Sequence, residues 1–220
     1  MEIKVLQDIF AVNEGHAGEN AELFKRKGVF VINLMASPGA GKTSFILGTI
    51  SGLRERYKIA VIEGDLASKV DSERIRSQGV QSIQINTGGG CHLEANMIKQ
   101  AIKHLDLDGI DLLIIENVGN LVCPADFSLG ESARVVILSV PEGDDKPLKY
   151  PFIFQRCDVL VVNKIDMLEL TDFNMKRLED VMRNLNSDVK ILLLSCRTAS
   201  GLDAWIDWVE KELNREGDIG

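Results

Sequence analysis

At 220 residues with 45% hydrophobic content, the chain is long enough to bury the core of one α/β domain. Its formal net charge of −8 argues against a nucleic-acid partner, since that kind of binding rests on a basic footprint. No apolar run approaches the roughly 18 residues of a membrane span and no signal peptide opens the chain, so a cytoplasmic protein without a membrane anchor is expected. In that reducing compartment Cys91, Cys123, Cys157 and Cys196 read as thiols or metal ligands rather than disulfides.

Residues 1–28 are polar, with an amphipathic piece around Asn20-Ala-Glu-Leu-Phe-Lys-Arg26. They form an expected helical extension packed on a nucleotide-binding domain of residues 29–220. Val29-Phe-Val-Ile-Asn-Leu-Met35 reads as a buried strand, and Phe45-Ile-Leu-Gly-Thr-Ile50 as the start of a helix. Between them lies Ala36-Ser-Pro-Gly-Ala-Gly-Lys-Thr43, the phosphate-loop pattern G-x-x-x-x-G-K-S/T with Ala36 in place of the first glycine. A strand, a Gly-bearing loop and a helix N-terminus aim backbone N–H groups and a positive dipole end at one point. Pro38, Gly39, Ala40, Gly41 and Ser44 would line the phosphates. Lys42 would face the β- and γ-phosphates, and the Thr43 hydroxyl would hold Mg²⁺. Ala36 suits this only at negative φ, because a Cβ penalises the left-handed region. Further apolar, β-rich runs follow at Ile59–Ile62, Ile83–Ile85, Leu112–Ile115, Val135–Leu138, Val159–Val162 and Ile191–Leu194. Helical stretches separate most of them, notably Glu94–Leu105, Asp172–Asn186 and Leu202–Asn214. The expectation is a three-layer α/β phosphate-loop fold with a mostly parallel central sheet. Its ligand would sit at the carboxyl ends of the strands.

The acidic candidates come next in the chain. Glu63-Gly-Asp65 ends the second strand, and Asp71 follows in Asp71-Ser-Glu-Arg-Ile75. Asp65 is a candidate for Mg²⁺, and Asp71 for positioning the attacking water. Glu116-Asn-Val-Gly119 ends the fourth strand. There Glu116 is a further Mg²⁺ candidate, and the Gly119 amide can sense a γ-phosphate. Beyond the sixth strand stands Asn163-Lys-Ile-Asp166. A carboxylate at Asp166 accepts hydrogen bonds from guanine N1–H and N2–H₂, a donor pair that adenine lacks. The Lys164 stem would lie along the base, and Asn163 would hold neighbouring loops. Ser195-Cys-Arg-Thr198 brings the Ser195 and Cys196 backbone to guanine O6. The expected nucleotide is GTP.

Gly88-Gly-Gly-Cys91-His92 follows the third strand, and Asn120-Leu-Val-Cys-Pro124 follows Gly119. Cys and His are ligands for Zn²⁺, Ni²⁺ and Cu⁺. The three ligands Cys91, His92 and Cys123 leave a metal incompletely enclosed, which suits either a transferable ion or a site completed by a second subunit. Cys157 and Cys196 read as structural.

Taken together, Ala36–Thr43, Glu63-Gly-Asp65, Cys91-His92-Leu93, Glu116–Ala125, Asp144-Asp-Lys146 and Asn163–Asp166 resemble HypB, the hydrogenase nickel-incorporation GTPase family, over nearly the whole chain. The resemblance implies a GTPase that dimerises with nucleotide and delivers Ni²⁺ during maturation of nickel–iron hydrogenase. It also implies a HypA-type nickel chaperone and the hydrogenase large-subunit precursor as partners. In this family Cys91, His92 and Cys123 would bind Ni²⁺ or Zn²⁺ at the dimer interface. The N-terminal Cys-rich motif and His-rich tract of some members are missing; only three histidines occur. Two alternatives stand beside this reading. One is a GTP-controlled dimerising switch with a structural zinc site; the other is a maturation GTPase serving a different metalloenzyme.

Overall fold

The computed structural model describes residues 5–64 and 69–217, with side chains described for 9–64 and 72–215. Among these, the strands are β1 (Phe30–Ala36), β2 (Ile59–Glu63), β3 (Gln81–Gln84), β4 (Leu112–Glu116), β5 (Ala133–Ser139), β6 (Val159–Asn163) and β7 (Lys190–Leu193). They form one sheet in the order β3-β2-β4-β1-β5-β6-β7, and every neighbouring pair is parallel. The helices are α1 (Val5–Lys27), α2 (Lys42–Leu53), α3 (Lys69–Arg76), α4 (Ala95–Ala101), α5 (Lys146–Lys149), α6 (Pro151–Gln155), α7 (Met175–Leu185) and α8 (Leu202–Gly217). Parallel strands need crossovers, and helices supply them on both faces. The five inner strands are therefore almost wholly buried and mostly apolar, interrupted by Asn33 in β1 and Arg134 in β5. The edge strands differ. Gln81–Gln84 and Lys190–Leu193 keep exposed positions because each has one neighbour, and β3 begins earlier than its apolar residues indicate. The first-turn boundaries shift too: Asn174 caps α7 by accepting from the Arg177 amide at 3.0 Å, so the helix begins at Met175 rather than Asp172. The Glu94–Leu105 stretch is a shorter α-helix completed by a 3₁₀ turn over Ile102–His104.

Alternation along β1 divides the core. Phe30, Ile32, Leu34 and Ala36 face a cluster with α2 and α8, while Val31 meets the layer under α1 and α4. Met35 joins a third cluster with Phe154, Leu178 and Met182. Trp205 of α8 packs on Phe45 of α2 with ring centroids 4.7 Å apart. Its indole N–H donates to Thr49 Oγ1 at 2.9 Å, so the helix that begins at the phosphate loop is fixed along its length. On the opposite layer α1 runs before β1 and crosses Gly130, where a Cβ would meet the Ala17 carbonyl at 2.6 Å. Among the described residues no helix is long and apolar enough to cross a membrane.

Candidate functional site

The loop leaving β1 turns on two left-handed glycines, Gly39 at φ +78° and Gly41 at φ +103°. Among the described residues the non-glycines at positive φ are Lys164 and Ala199. Ala36 therefore keeps the negative φ its side chain needs, and the missing glycine costs no backbone strain. Ala36 and Ala40 are buried, and Pro38, Gly39 and Ser44 are exposed. Lys42, the first residue of α2, is buried, and Thr43 beside it is half-buried. The α2 N-terminus thus meets the loop's glycines, an arrangement suited to an anion.

The second segment closes on this loop. The Asn163 carboxamide donates to the Ala40 carbonyl at 2.9 Å, while its oxygen accepts from the Lys164 amide at 2.8 Å and the Cys196 amide at 3.3 Å. One buried side chain thereby ties the phosphate loop to the Asp166 turn and the Cys196 loop. Gly41 is required here, since a Cβ would come within 2.5 Å of Asn163 Nδ2. The Lys164 ammonium donates to the Gly39 carbonyl at 2.7 Å, laying its stem across the mouth of the site. Ser195 Oγ donates to Asp166 Oδ1 at 2.6 Å, and the Arg197 guanidinium lies 3.8 Å from Oδ2. These residues border a cleft of about 260 Å³ lined by Gly41, Ser44, Asn163, Lys164, Asp166 and Cys196, among others. Burial pushes the Cys196 thiol up to about 11 and the Cys157 thiol up to about 12, so both stay protonated at neutral pH.

The acidic candidates divide. Glu116 ends β4, buried and in register with Leu34 of β1 and Glu63 of β2. Gly119, three residues on, lies so close to the phosphate loop that a Cβ would stand 3.1 Å from the Pro38 ring and 3.2 Å from the Lys42 ammonium. Asp65 lies outside the described residues, as does the side chain of Asp71.

Cys91, His92 and Cys123 converge, their ligand atoms all within 4.8 Å of one another. Cys91 Sγ is 2.7 Å from Cys123 Sγ and 3.5 Å from His92 Nδ1. Tetrahedral coordination with metal–sulfur bonds near 2.3 Å separates two sulfurs by about 3.7 Å, so a bound ion would open this pair slightly. His92 stacks on Phe127 with centroids 4.0 Å apart. Its Nε2 is buried without a hydrogen-bond partner among the described residues, 3.9 Å from the Glu94 carboxylate. Nδ1 therefore lies on the side of the Cys91 sulfur, and Nε2 lies on the side of the Glu94 carboxylate, beyond hydrogen-bond distance of it. Burial holds the His92 imidazole below its ordinary value against the pull of Glu94, favouring the neutral, ligating form. The hydrogen bond to Cys123, followed by burial, raises the Cys91 thiol.

Sequence reasoning passed over the buried asparagines that hold these segments. Asn13 of α1 accepts from the Ala95 amide at 2.9 Å and donates to the Ser128 carbonyl at 2.8 Å. The wholly buried Asn117 accepts from the Leu93 amide at 3.1 Å and the Val118 amide at 2.9 Å. It donates to Asn33 Oδ1 at 3.2 Å. Asn33 itself was the available signal: a polar side chain inside an otherwise apolar strand needs a partner.

The family model described as "CobW/HypB/UreG, nucleotide-binding domain" matches residues 30–193. The hydrogenase maturation factor HypB of Azotobacter vinelandii is 47% identical over 211 residues, covering 96% of this chain and 69% of that protein. The hydrogenase/urease maturation factor HypB of Helicobacter pylori is 41% identical, covering 92% of this chain and 84% of that protein. The crystal structure of HypB from Helicobacter pylori in complex with nickel superposes with a TM-score of 0.87 at 40% identity, covering 92% of this chain and 95% of that one. With a phosphate loop, an all-parallel sheet and a Cys-His-Cys cluster in one chain, and these matches across most of its length, the chain belongs to the HypB members of the CobW/HypB/UreG family.

Proposed function

We propose that the chain is a GTP-hydrolysing metallochaperone that delivers nickel during maturation of nickel–iron hydrogenase. The observation that carries this reading is the meeting of Cys91, His92 and Cys123 on segments that leave the phosphate side of the sheet. In it, Asp166 selects guanine, Lys42 neutralises charge developing between the β- and γ-phosphates, and the Gly119 amide senses the γ-phosphate. Thr43, Asp65 and Glu116 would hold Mg²⁺, which when bound would supply positive charge to the phosphates, and Asp71 positions the attacking water. Ni²⁺, the cargo, or Zn²⁺ in its place, binds Cys91, His92 and Cys123. A GTP-promoted homodimer brings two such sets together, completing the coordination that one set leaves open, and hydrolysis loosens it. A HypA-type nickel chaperone and the hydrogenase large-subunit precursor are the partners, and the cytoplasm is the place of action. The hydrogenase/urease name of the Helicobacter pylori relative supports a second reading of the client alone, in which another nickel enzyme is served by the same machinery.

Calorimetry of Ni²⁺ binding with GDP and with a non-hydrolysable GTP analogue, paired with sedimentation, tests this. The expected result is tighter, dimer-linked binding in the GTP state, by roughly 5- to 150-fold for coupling of ordinary size. Identical affinity and stoichiometry in both states would overturn the delivery mechanism. Slow metal exchange insensitive to nucleotide would favour a structural zinc site instead.

A further inference from the structure

Leu93, the residue after His92, is gripped by both loops that end strands on the phosphate side. Its amide is bound by Asn117 at 3.1 Å. Its wholly buried side chain occupies the space above Gly64, where a Cβ would meet three Leu93 carbons at 2.5 to 2.8 Å. Gly64 follows β2 directly, and its amide donates to the Glu116 carbonyl at 2.8 Å. Asn117 is anchored at its other end, on Asn33 of the central strand at 3.2 Å. Its oxygen also holds the Val118 amide at 2.9 Å, the peptide that leads into Gly119 beside the Lys42 ammonium.

We propose that Asn117 is a positioning residue that couples the phosphate site to the metal site through the Leu93 amide. The proposal rests on the nucleotide and nickel functions given above. A γ-phosphate seated between Lys42 and the Gly119 amide shifts the 117–119 turn. Buried amides do not exchange partners without a large penalty, so the Leu93 N–H follows the Asn117 oxygen, and His92 moves with it. Cys123, downstream of Gly119, is carried by the other arm of the same turn. The ligand set is thus reshaped from two sides by one event, while no ligand contacts nucleotide.

The test uses the intact chain and Ni²⁺ alone, with affinity read from thiolate-to-nickel absorbance in the GDP and GTP-analogue states. The wild type is expected to show a ratio of roughly 5- to 150-fold between the two states. Asn117→Ala, read at saturating nucleotide in each state, is expected to reduce that ratio to within about twofold, with the absorbance band equal in both states. Asn117→Asp, which keeps the acceptor, restores part of the ratio. Gly64→Ala, which pushes Leu93 from the opposite side, is read identically and decides the matter if Asn117→Ala does not fold. A wild-type ratio preserved in folded Asn117→Ala, or in Gly64→Ala when that variant alone folds, overturns the relay and leaves the metal and nucleotide functions standing. A wild type that binds no Ni²⁺ or no GTP overturns those functions and the relay together.

Discussion

Replacing Asp166 by Asn isolates the chemistry of base selection with little disturbance of the fold. Asp166 Oδ1 accepts one hydrogen bond, from Ser195 Oγ at 2.6 Å, and the Arg197 guanidinium stays 3.8 Å from Oδ2 on a side chain 85% exposed. A carboxylate oxygen has two lone-pair sites, so capacity remains on both oxygens for guanine N1–H and N2–H₂. Each such bond to a charged acceptor contributes about 1.5–3 kcal/mol, so the pair amounts to about 3–6 kcal/mol. That corresponds to roughly a hundredfold to ten-thousandfold in affinity. Asn presents an N–H₂ where guanine also presents a donor, so the loss approaches the whole of this term. Xanthine, with an acceptor at position 2, suits the amide. The Asn amide oxygen still accepts from Ser195 Oγ, so the fold itself loses only the charge assistance of that contact and an exposed ion pair, about 1 kcal/mol, or roughly 2–4 °C in Tm for a chain of this size. Competitive displacement of a fluorescent guanine nucleotide by GTP, ATP and XTP measures all of this. Equal affinity of the wild type for ATP and GTP, or a variant with unchanged preference for GTP over XTP, would refute the assignment.

Lys42→Ala should abolish hydrolysis and weaken phosphate binding, since no other side chain in the loop carries positive charge; unchanged single-turnover hydrolysis at saturating nucleotide would contradict this. The Cys91→Ala/Cys123→Ala double variant should lose stoichiometric Ni²⁺ binding while retaining GTP, and full retention of the metal in equilibrium dialysis would remove these ligands from the site. Nickel affinity should fall as pH falls: thiols must release protons to bind, and the raised Cys91 thiol is protonated at neutral pH, so each step toward alkaline pH favours the metal. Titrations between pH 6 and 8 giving a flat profile would exclude thiolate ligation. Trp205→Ala empties the space between α2 and α8 and should cost about 3–5 kcal/mol, lowering Tm by roughly 6–20 °C; calorimetric scanning that finds a shift below 2 °C would show that α2 is held by other contacts.

Legibility differed by element according to how local the cause was. Lys42 and its glycines were readable because an apolar strand, two left-handed glycines and a helix start lie within one short stretch of chain. Asn163–Asp166 was readable because it follows the buried β6 directly, and the Asn163 bond to the Ala40 carbonyl gives the expected link between loops a specific pair of atoms. β3 was placed less well: Gln81 and Ser82, ahead of the apolar Ile83, look like loop residues, but as an edge strand β3 uses a single ladder with β2 and tolerates exposed side chains. Asn13, Asn33 and Asn117 escaped notice because their function lies in satisfying buried amides of segments far away in sequence. Nothing in the flanking residues reveals which amides those are.

The sequence by itself determined the order of elements, the phosphate loop, the turn after β6 at Asn163–Asp166 and the thiol and imidazole groups, Cys91, His92 and Cys123, that the fold gathers. Each follows from chemistry confined to a few consecutive residues: apolar runs, φ-permissive glycines, a cation beside a hydroxyl, an acid after a strand. Only the tertiary structure decided that Cys91 and Cys123 stand 2.7 Å apart, and that Asn117 reaches from β4's end to the Leu93 amide. The reason is the sheet order β3-β2-β4-β1, which sets the loops after β3 and β4 on the same side and within reach of each other. That order is fixed by which helices can bury their apolar faces against which strands, a balance over the whole core that no single segment records.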